Sequence, residues 1–373
     1  MRKILLATTA ILAFAGAAQA AESPIQVTLG GSVDFRAAMA HESYKAMTNT
    51  AERRTGDFQT IYEMTVAAKG KAAGGIEYGA LINLDNNLDR NATNDTLASM
   101  DMAYVWMSGA FGKVVLGDNH GASTLFVYAP TIGANQIDGD FSDYLARTDS
   151  YADLSPTLFS MTEDSTKVTY YTPKVGNENH KVQLGASFTP NYGEGVRGSD
   201  VVIRDAANSY KNMIEATAQY TGTFDPISVV VSPTMITAEG MGDKTVLNTG
   251  TRDFTAWGMG AQAMYAGFTL GGSYVDVGHM NTATTEDKDQ NVWNIGLSYE
   301  MDKVELAANY MDAKAYSGNT YYDDSSAIGL GATYTWFPGL TTAADAVFFN
   351  QNNQATGINN EGHVLMLSQK MTF

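Results

Sequence analysis

The chain has 373 residues, with 40 acidic against 23 basic side chains and a net charge of −17, a balance that disfavours nucleic acid as a partner. It contains no cysteine, which removes disulfides, thiol nucleophiles and thiolate metal sites from consideration. Mean hydropathy is −0.17 with 10% aromatic residues. Beyond the first residues, no apolar run approaches the roughly 18 positions that a transmembrane helix needs.

The amino terminus reads as a secretory signal peptide. Met1, Arg2 and Lys3 precede a short apolar stretch over 4–15, and Ala18, Gln19 and Ala20 form the cleavage pattern. Cleavage near Ala20 leaves 353 residues with 21 basic against 40 acidic side chains. Residues 21–373 show no linker, composition break or low-complexity run, so a single domain is the simpler organisation.

Strict alternation then recurs along the chain. Ile25, Val27, Leu29, Val33 and Phe35 share one face, with Gln26, Thr28, Ser32, Asp34 and Arg36 on the other. Similar apolar faces are Phe58/Tyr62/Met64/Val66, Ile76/Tyr78/Ala80/Ile82/Leu84, Met100/Met102/Tyr104/Trp106 and Val182/Leu184/Ala186/Phe188. Later copies include Trp257/Met259/Ala261/Ala263/Tyr265, Trp293/Ile295/Leu297/Tyr299 and Ile328/Leu330/Ala332/Tyr334/Trp336. Sixteen candidate strands begin near residues 25, 58, 75, 98, 112, 166, 180, 211, 226, 253, 267, 290, 303, 324, 339 and 361.

The connections alternate in length. Short ones are Gly109-Ala110-Phe111-Gly112, Ala266-Gly267, 300–303 and Phe337-Pro338-Gly339. Long ones cover about 38–57, 86–97, 119–165, 190–210, 236–252, 278–289, 313–323 and 351–360. An even strand count with tight turns at one end and long loops at the other predicts an all-β, 16-stranded antiparallel transmembrane β-barrel, its apolar faces turned to lipid. Many of those faces end in Tyr, Trp or Phe, as at membrane interfaces.

The last segment is the most specific motif. Leu365, Leu367, Met371 and the terminal Phe373 share a face that Gln369 interrupts, with Ser368, Lys370 and Thr372 opposite. Here the chain resembles the trimeric Gram-negative porin family, whose final strand ends in a Phe that the barrel assembly machinery reads. Residues 103–117 resemble the strand, turn and strand before the constriction loop of alphaproteobacterial porins; 168–173 and 258–274 are further similarities. The resemblance implies a general diffusion porin in the bacterial outer membrane. It further implies a homotrimer in contact with lipid and LPS, an external third loop folded into the lumen, and passage of small hydrophilic solutes and ions.

That third loop would be the segment 119–165. Its charges are Asp138, Asp140, Asp143, Asp149, Asp153, Glu163 and Asp164 against Arg147 alone. Such a loop in a narrow aqueous lumen makes a negative potential, so cations should be preferred. By strand phase the inward wall charges are Asp34, Arg36, Glu63, Lys69, Glu77, Asp85, Asp101, Lys113 and Lys167, a thin basic set to oppose it. Arg147 or Lys167 could fold inward and change that balance.

Asp138, Asp140 and Asp143 around Gly139 offer hard oxygens to a possible structural Ca²⁺, although the spacing is not that of an EF-hand. No required cofactor is expected. Catalysis would need a nucleophile with a positioned His; His41, His120, His180 and His279 fall in loops or turns by this reading, and His363 near a strand end. No Gly-x-Ser-x-Gly, HExxH or Walker pattern occurs. An enzyme is therefore disfavoured. A substrate-specific channel and a surface adhesin or receptor on the same barrel are the competing readings.

Overall fold

The computed structural model describes residues 21–43, 55–86, 99–130, 133, 137, 140–145, 155–158, 162, 165–192, 210–242, 251–280, 288–317, 320–353 and 357–373. The first half of the wall is β1 (Ala21–Glu42), β2 (Gly56–Ala72), β3 (Glu77–Asp85), β4 (Ser99–Gly109), β5 (Gly112–Asp118), β6 (Thr166–Tyr171), β7 (Val175–Gly176) and β8 (His180–Asn191). The second half is β9 (Tyr210–Phe224), β10 (Ile227–Gly240), β11 (Phe254–Tyr265), β12 (Phe268–Asp276), β13 (Lys288–Met301), β14 (Val304–Ser317), β15 (Thr320–Phe337), β16 (Leu340–Asn353) and β17 (Ile358–Thr372).

Apart from β6 and β7, which both pair with β8, every sequential neighbour pairs antiparallel, and β1 pairs with both β2 and β17, so the sheet closes on itself. The two-residue β7 continues the position of β6, since both pair with β8. Pro173, which has no N–H to give, lies in the break between them. The wall is thus a closed 16-stranded antiparallel barrel, with starts within five residues of those read from the sequence.

Alternation explains the wall. On β13, Val292, Asn294 and Ser298 are buried while Trp293, Ile295 and Leu297 are exposed; β15 buries Ala327 and exposes Ile328 and Leu330. Exposed apolar residues over most of the circumference would be untenable in water but are the surface that hydrocarbon requires. Aromatic pairs bound this band. Trp257–Tyr274 (5.4 Å) and Trp293–Tyr310 (5.1 Å) lie toward the long connections, Phe268–Tyr299 (4.3 Å) and Tyr334–Trp336 (4.7 Å) toward the short turns. Trp257 and Tyr265 are eight residues apart on β11. At about 3.3 Å per residue and about 40° of tilt, that separation spans roughly 20 Å of membrane. Replacing the mid-band Leu297 with Arg should therefore destabilise the lipid-embedded barrel by about 2–4 kcal/mol, read as a shift in denaturant unfolding from bilayers. An unchanged midpoint would place Leu297 outside the hydrocarbon.

Gln369, the interruption in the last strand, belongs to the lower aromatic girdle. Thr342 donates its hydroxyl to Gln369 Oε1 at 2.7 Å and accepts the Trp336 indole N–H at 2.8 Å. A polar side chain is satisfied there because the interface supplies partners.

Three sequence expectations change. Tyr104 and Trp106 do not face outward; on β4 the exposed apolar residues are Val105 (52%) and Met107 (45%). The ladder pairs Asn83 with Met102 but Leu84 with Met100, leaving Asp101 as the extra residue of a bulge. One extra residue shifts the phase, so Met100 faces out while Met102, Tyr104 and Trp106 face in. The second change is the connection at 313–323, which is largely strand because β14 runs to Ser317 and β15 starts at Thr320. Above the apolar band the outer face turns polar, so the periodic signal ends before the hydrogen-bond ladder does. Third, His41 lies within β1 opposite His363, and His180 begins β8.

Candidate functional site

The inner face of β1 and β17 holds the first charge pair. Asp34 accepts the Ser368 hydroxyl at 2.5 Å and the Arg36 Nε–H at 2.8 Å, so the guanidinium charge is largely compensated on the wall. Tyr144 sits beside them and donates its hydroxyl to Gln59 Oε1 on β2 at 2.5 Å. Burial pushes the Tyr144 phenol up, while the neighbouring Arg36 pulls it down. Glu63, on the inner face of β2, is exposed and makes no hydrogen bond or ion pair among the described residues. Next to it a polar file runs from Thr65 to Asn83 (3.0 Å) and from Asn83 to Asp101 (3.0 Å).

Lys167 faces inward on β6 but is only 2% exposed. Its ammonium donates to the carbonyls of Asn119 and Thr162, which lie near the two ends of the 119–165 segment. Glu215 on β9 does the complementary work. It is fully buried, accepts the Ser123 N–H at 3.0 Å and hydroxyl at 2.9 Å, and accepts the Thr162 hydroxyl. A buried carboxylate held by three donors and a buried ammonium held by carbonyls join both ends of the segment to the wall.

From there the described residues 125–129 and Gly133 bond to the inner face of successive strands. Gln219 of β9 donates to Leu125 O at 2.6 Å, and Ser232 of β10 accepts the Val127 N–H at 2.7 Å. Gln262 of β11 donates to Tyr128 O at 2.7 Å, Asn294 of β13 accepts the Ala129 N–H at 2.8 Å, and Thr333 of β15 accepts the Gly133 N–H at 3.2 Å. Side chains complete the path: Phe141 stacks on Phe349 of β16 at 5.1 Å, ahead of Tyr144 at β1 and β2.

Two apolar patches on the inner face receive the segment. Ile137, Phe141 and Leu145 pack with Val292, Met311, Ala313, Val347 and Phe349. Phe126 and Leu158 pack with Met213, Ile236, Phe254 and Val275. Gly260 permits the closest approach, since a Cβ there would lie 1.5 Å from the Val127 carbonyl oxygen.

A profile described as Gram-negative porin matches residues 7–354. The chain belongs to the Gram-negative porin family, and the barrel is an outer-membrane porin. No curated protein sequence matches it. Among solved structures, OmpF of Salmonella typhi in complex with daunomycin aligns with TM-score 0.62 and 12% identity, covering 93% of this chain and 98% of its own. An anion-selective porin from Comamonas acidovorans aligns with TM-score 0.60 and 14% identity, covering 94% and 100%. OmpT of Vibrio cholerae in trimer form aligns with TM-score 0.53 and 13% identity, covering 93% and 99%. At such identities the likeness concerns the fold, and ion preference has to be argued from this porin's own charges.

Of the pore residues expected from sequence, Asp34, Arg36 and Glu63 lie on the inner wall, and Lys167 is buried beneath the segment. Asp143 is exposed in a short 3₁₀ turn over Asp140–Tyr144. Asp138, Arg147, Asp149 and Asp153 lie outside the described residues, as does the side chain of Asp140. Among the described residues there is no group of three or more metal-binding side chains. Leu365, Leu367, Met371 and Phe373 form the exposed outer face at the closing seam. Glu215 was missed by sequence reading. Its signal was available, a lone carboxylate in inward phase between Ile214 and Ala216, but nothing local showed that Ser123 and Thr162 would reach it.

Proposed function

We propose that this porin is a passive diffusion channel for small hydrophilic solutes, that the 119–165 segment is its constriction, and that the channel prefers cations. The observation that carries the reading is the chain of bonds from this segment to the inner faces of β9, β10, β11, β13 and β15. A segment held on that face occupies lumen cross-section and sets the exclusion size. No energy source and no catalytic step enter the reading.

Cation preference is supported by the fate of the bases. Arg36 is compensated by Asp34, and the Lys167 ammonium is bonded to carbonyls of the segment, whereas Glu63 remains exposed and unpaired among the described residues. The acids of the segment, Asp138, Asp140, Asp143, Asp149 and Asp153, add to the negative potential on this reading, with Arg147 alone against them. The same Asp138, Asp140 and Asp143 would be the donors if a Ca²⁺ stiffens the segment; conduction would not require it. Residues 1–20 act as the removed signal peptide, and Phe373 with Met371, Leu367 and Leu365 as the assembly signal. The assembly is a homotrimer, in line with the trimeric OmpT fold neighbour, with the outer faces of the early strands toward its neighbours.

Planar-bilayer recording in a KCl gradient tests this. The expected result is stepwise closure in threes and a reversal potential on the cation side, with Glu63→Gln lowering the K⁺/Cl⁻ permeability ratio roughly two- to threefold. An anion-side reversal potential overturns the preference, and electrical silence overturns the channel.

A further inference from the structure

The bulge in β4 has placed aromatic side chains where a diffusion porin would need only polar ones. Tyr104 and Trp106 face inward near the short-turn end of β4, each partly exposed. Trp106 lies across Gly79 of β3, where a Cβ would come within 2.8 Å of the indole nitrogen. Any larger residue at that position would lift the ring off the wall. Val115 of β5, opposite Trp106 in the ladder, is buried and gives the patch an apolar floor. Tyr171 of β6 stands on the far side of Lys113, with its hydroxyl donating to Gly121 O at 2.6 Å and paired with Thr124 Oγ1 at 2.9 Å.

Lys113 is the charged member. Its ammonium lies over the Trp106 ring, 5.4 Å from the centroid, and has no carboxylate partner among the described residues. The nearby Lys69 is different, since Glu77 neutralises it at 2.9 Å. In a chain with net charge −17, an unpaired inward lysine held against an indole is a local exception to the acidic interior.

We propose that Trp106, Tyr104 and Lys113 form a binding subsite for planar aromatic carboxylates on the inner wall, between the constriction segment and the short-turn mouth. The flat ring would stack on the partly exposed indole and phenol, and its carboxylate would meet the Lys113 ammonium. Such a subsite would hold one class of anion briefly inside a channel that otherwise favours cations. It goes beyond the diffusion reading and rests on it only for the interior being open to solute.

The test uses benzoate with the folded full-length mature protein in detergent, read by tryptophan fluorescence, a measurement that needs no conduction. Cyclohexanecarboxylate has the charge without the flat ring, and benzyl alcohol the ring without the charge. Trp257, Trp293 and Trp336 all lie on the outer face, so an inner-wall event should be reported by Trp106. The expected result is a saturable benzoate response, absent in Trp106→Phe and weakened about tenfold or more in Lys113→Met, with both control compounds weaker than benzoate. Circular dichroism and heat-modifiable migration establish that each variant folds; should Lys113→Met fail to, Lys113→Gln replaces it. A linear, non-saturating response of the wild type overturns the subsite. So does a saturable response surviving in Trp106→Phe, or equal affinity in the lysine variant. A channel silent in bilayers with saturable benzoate binding would overturn the diffusion reading and leave this one standing.

Discussion

Glu215→Ala should release the 119–165 segment from the wall while leaving the barrel closed. The carboxylate accepts from the Ser123 N–H, the Ser123 hydroxyl and the Thr162 hydroxyl, all in buried surroundings. Alanine leaves these donors unpaired, at about 1–3 kcal/mol for each group that water does not reach. The undocked population should therefore rise by about 100-fold or more, since the three groups together cost at least about 3 kcal/mol. Arg147 is the single trypsin site between 119 and 165, so cleavage there reports release directly. Faster cleavage at Arg147, a larger exclusion limit and greater open-channel noise are expected, with little change in β-sheet circular dichroism.

Glu215→Gln should fall between wild type and alanine, because one acceptor oxygen survives. Gly260→Val attacks the same docking from the other side, since its side chain would enter the Val127 carbonyl. Arg147 cleavage at the wild-type rate in both Glu215→Ala and Gly260→Val would show that these contacts do not hold the segment. Lys167→Met is a harsher version, because it removes the ammonium shared by Asn119 and Thr162.

Strand number and order were legible because lipid on one side and water on the other impose a period of two that no soluble core repeats sixteen times. Leu365, Leu367 and Met371 could be assigned to the outer face from that period alone, and they are exposed there. The same rule failed at Tyr104 and Trp106, because both faces of β4 are apolar enough to serve as the outer one. Only the pairing of Met100 with Leu84 and of Met102 with Asn83 reveals the shift. The pore chemistry was less legible for a different reason. The inner charges of the early strands could be placed by phase, but which of them stay available depends on contacts between distant residues. Lys167 reads as an inward base in sequence, yet its ammonium is bonded to backbone of the segment; Arg36 reads as a lumen cation, yet Asp34 lies two residues away on the same face.

Removing Phe373 should reduce outer-membrane trimer several-fold, and how much of that loss reflects stability can be separated from how much reflects targeting. The seam between β1 and β17 ends in two reciprocal backbone bonds, Gly31 N–H to Phe373 O and Phe373 N–H to Gly31 O, each 3.0 Å. The phenyl ring closes over Gly31, where a Cβ would meet Phe373 Cζ at 3.2 Å and the Glu63 carbonyl oxygen at 2.4 Å. An unpaired strand end next to lipid is costly, so the deletion loses both bonds and the cover over the glycine. Phe373→Ala keeps the backbone bonds and loses only the ring. If the ring is the assembly signal, this variant loses trimer in cells nearly as fully as the deletion, while refolding in detergent with a melting temperature within a few degrees of wild type. Wild-type yield of Phe373→Ala in cells would refute that signal and leave the backbone seam as the reason the residue matters. Gly31→Val should fail in both settings, because its side chain has no room between Glu63 and the terminal ring.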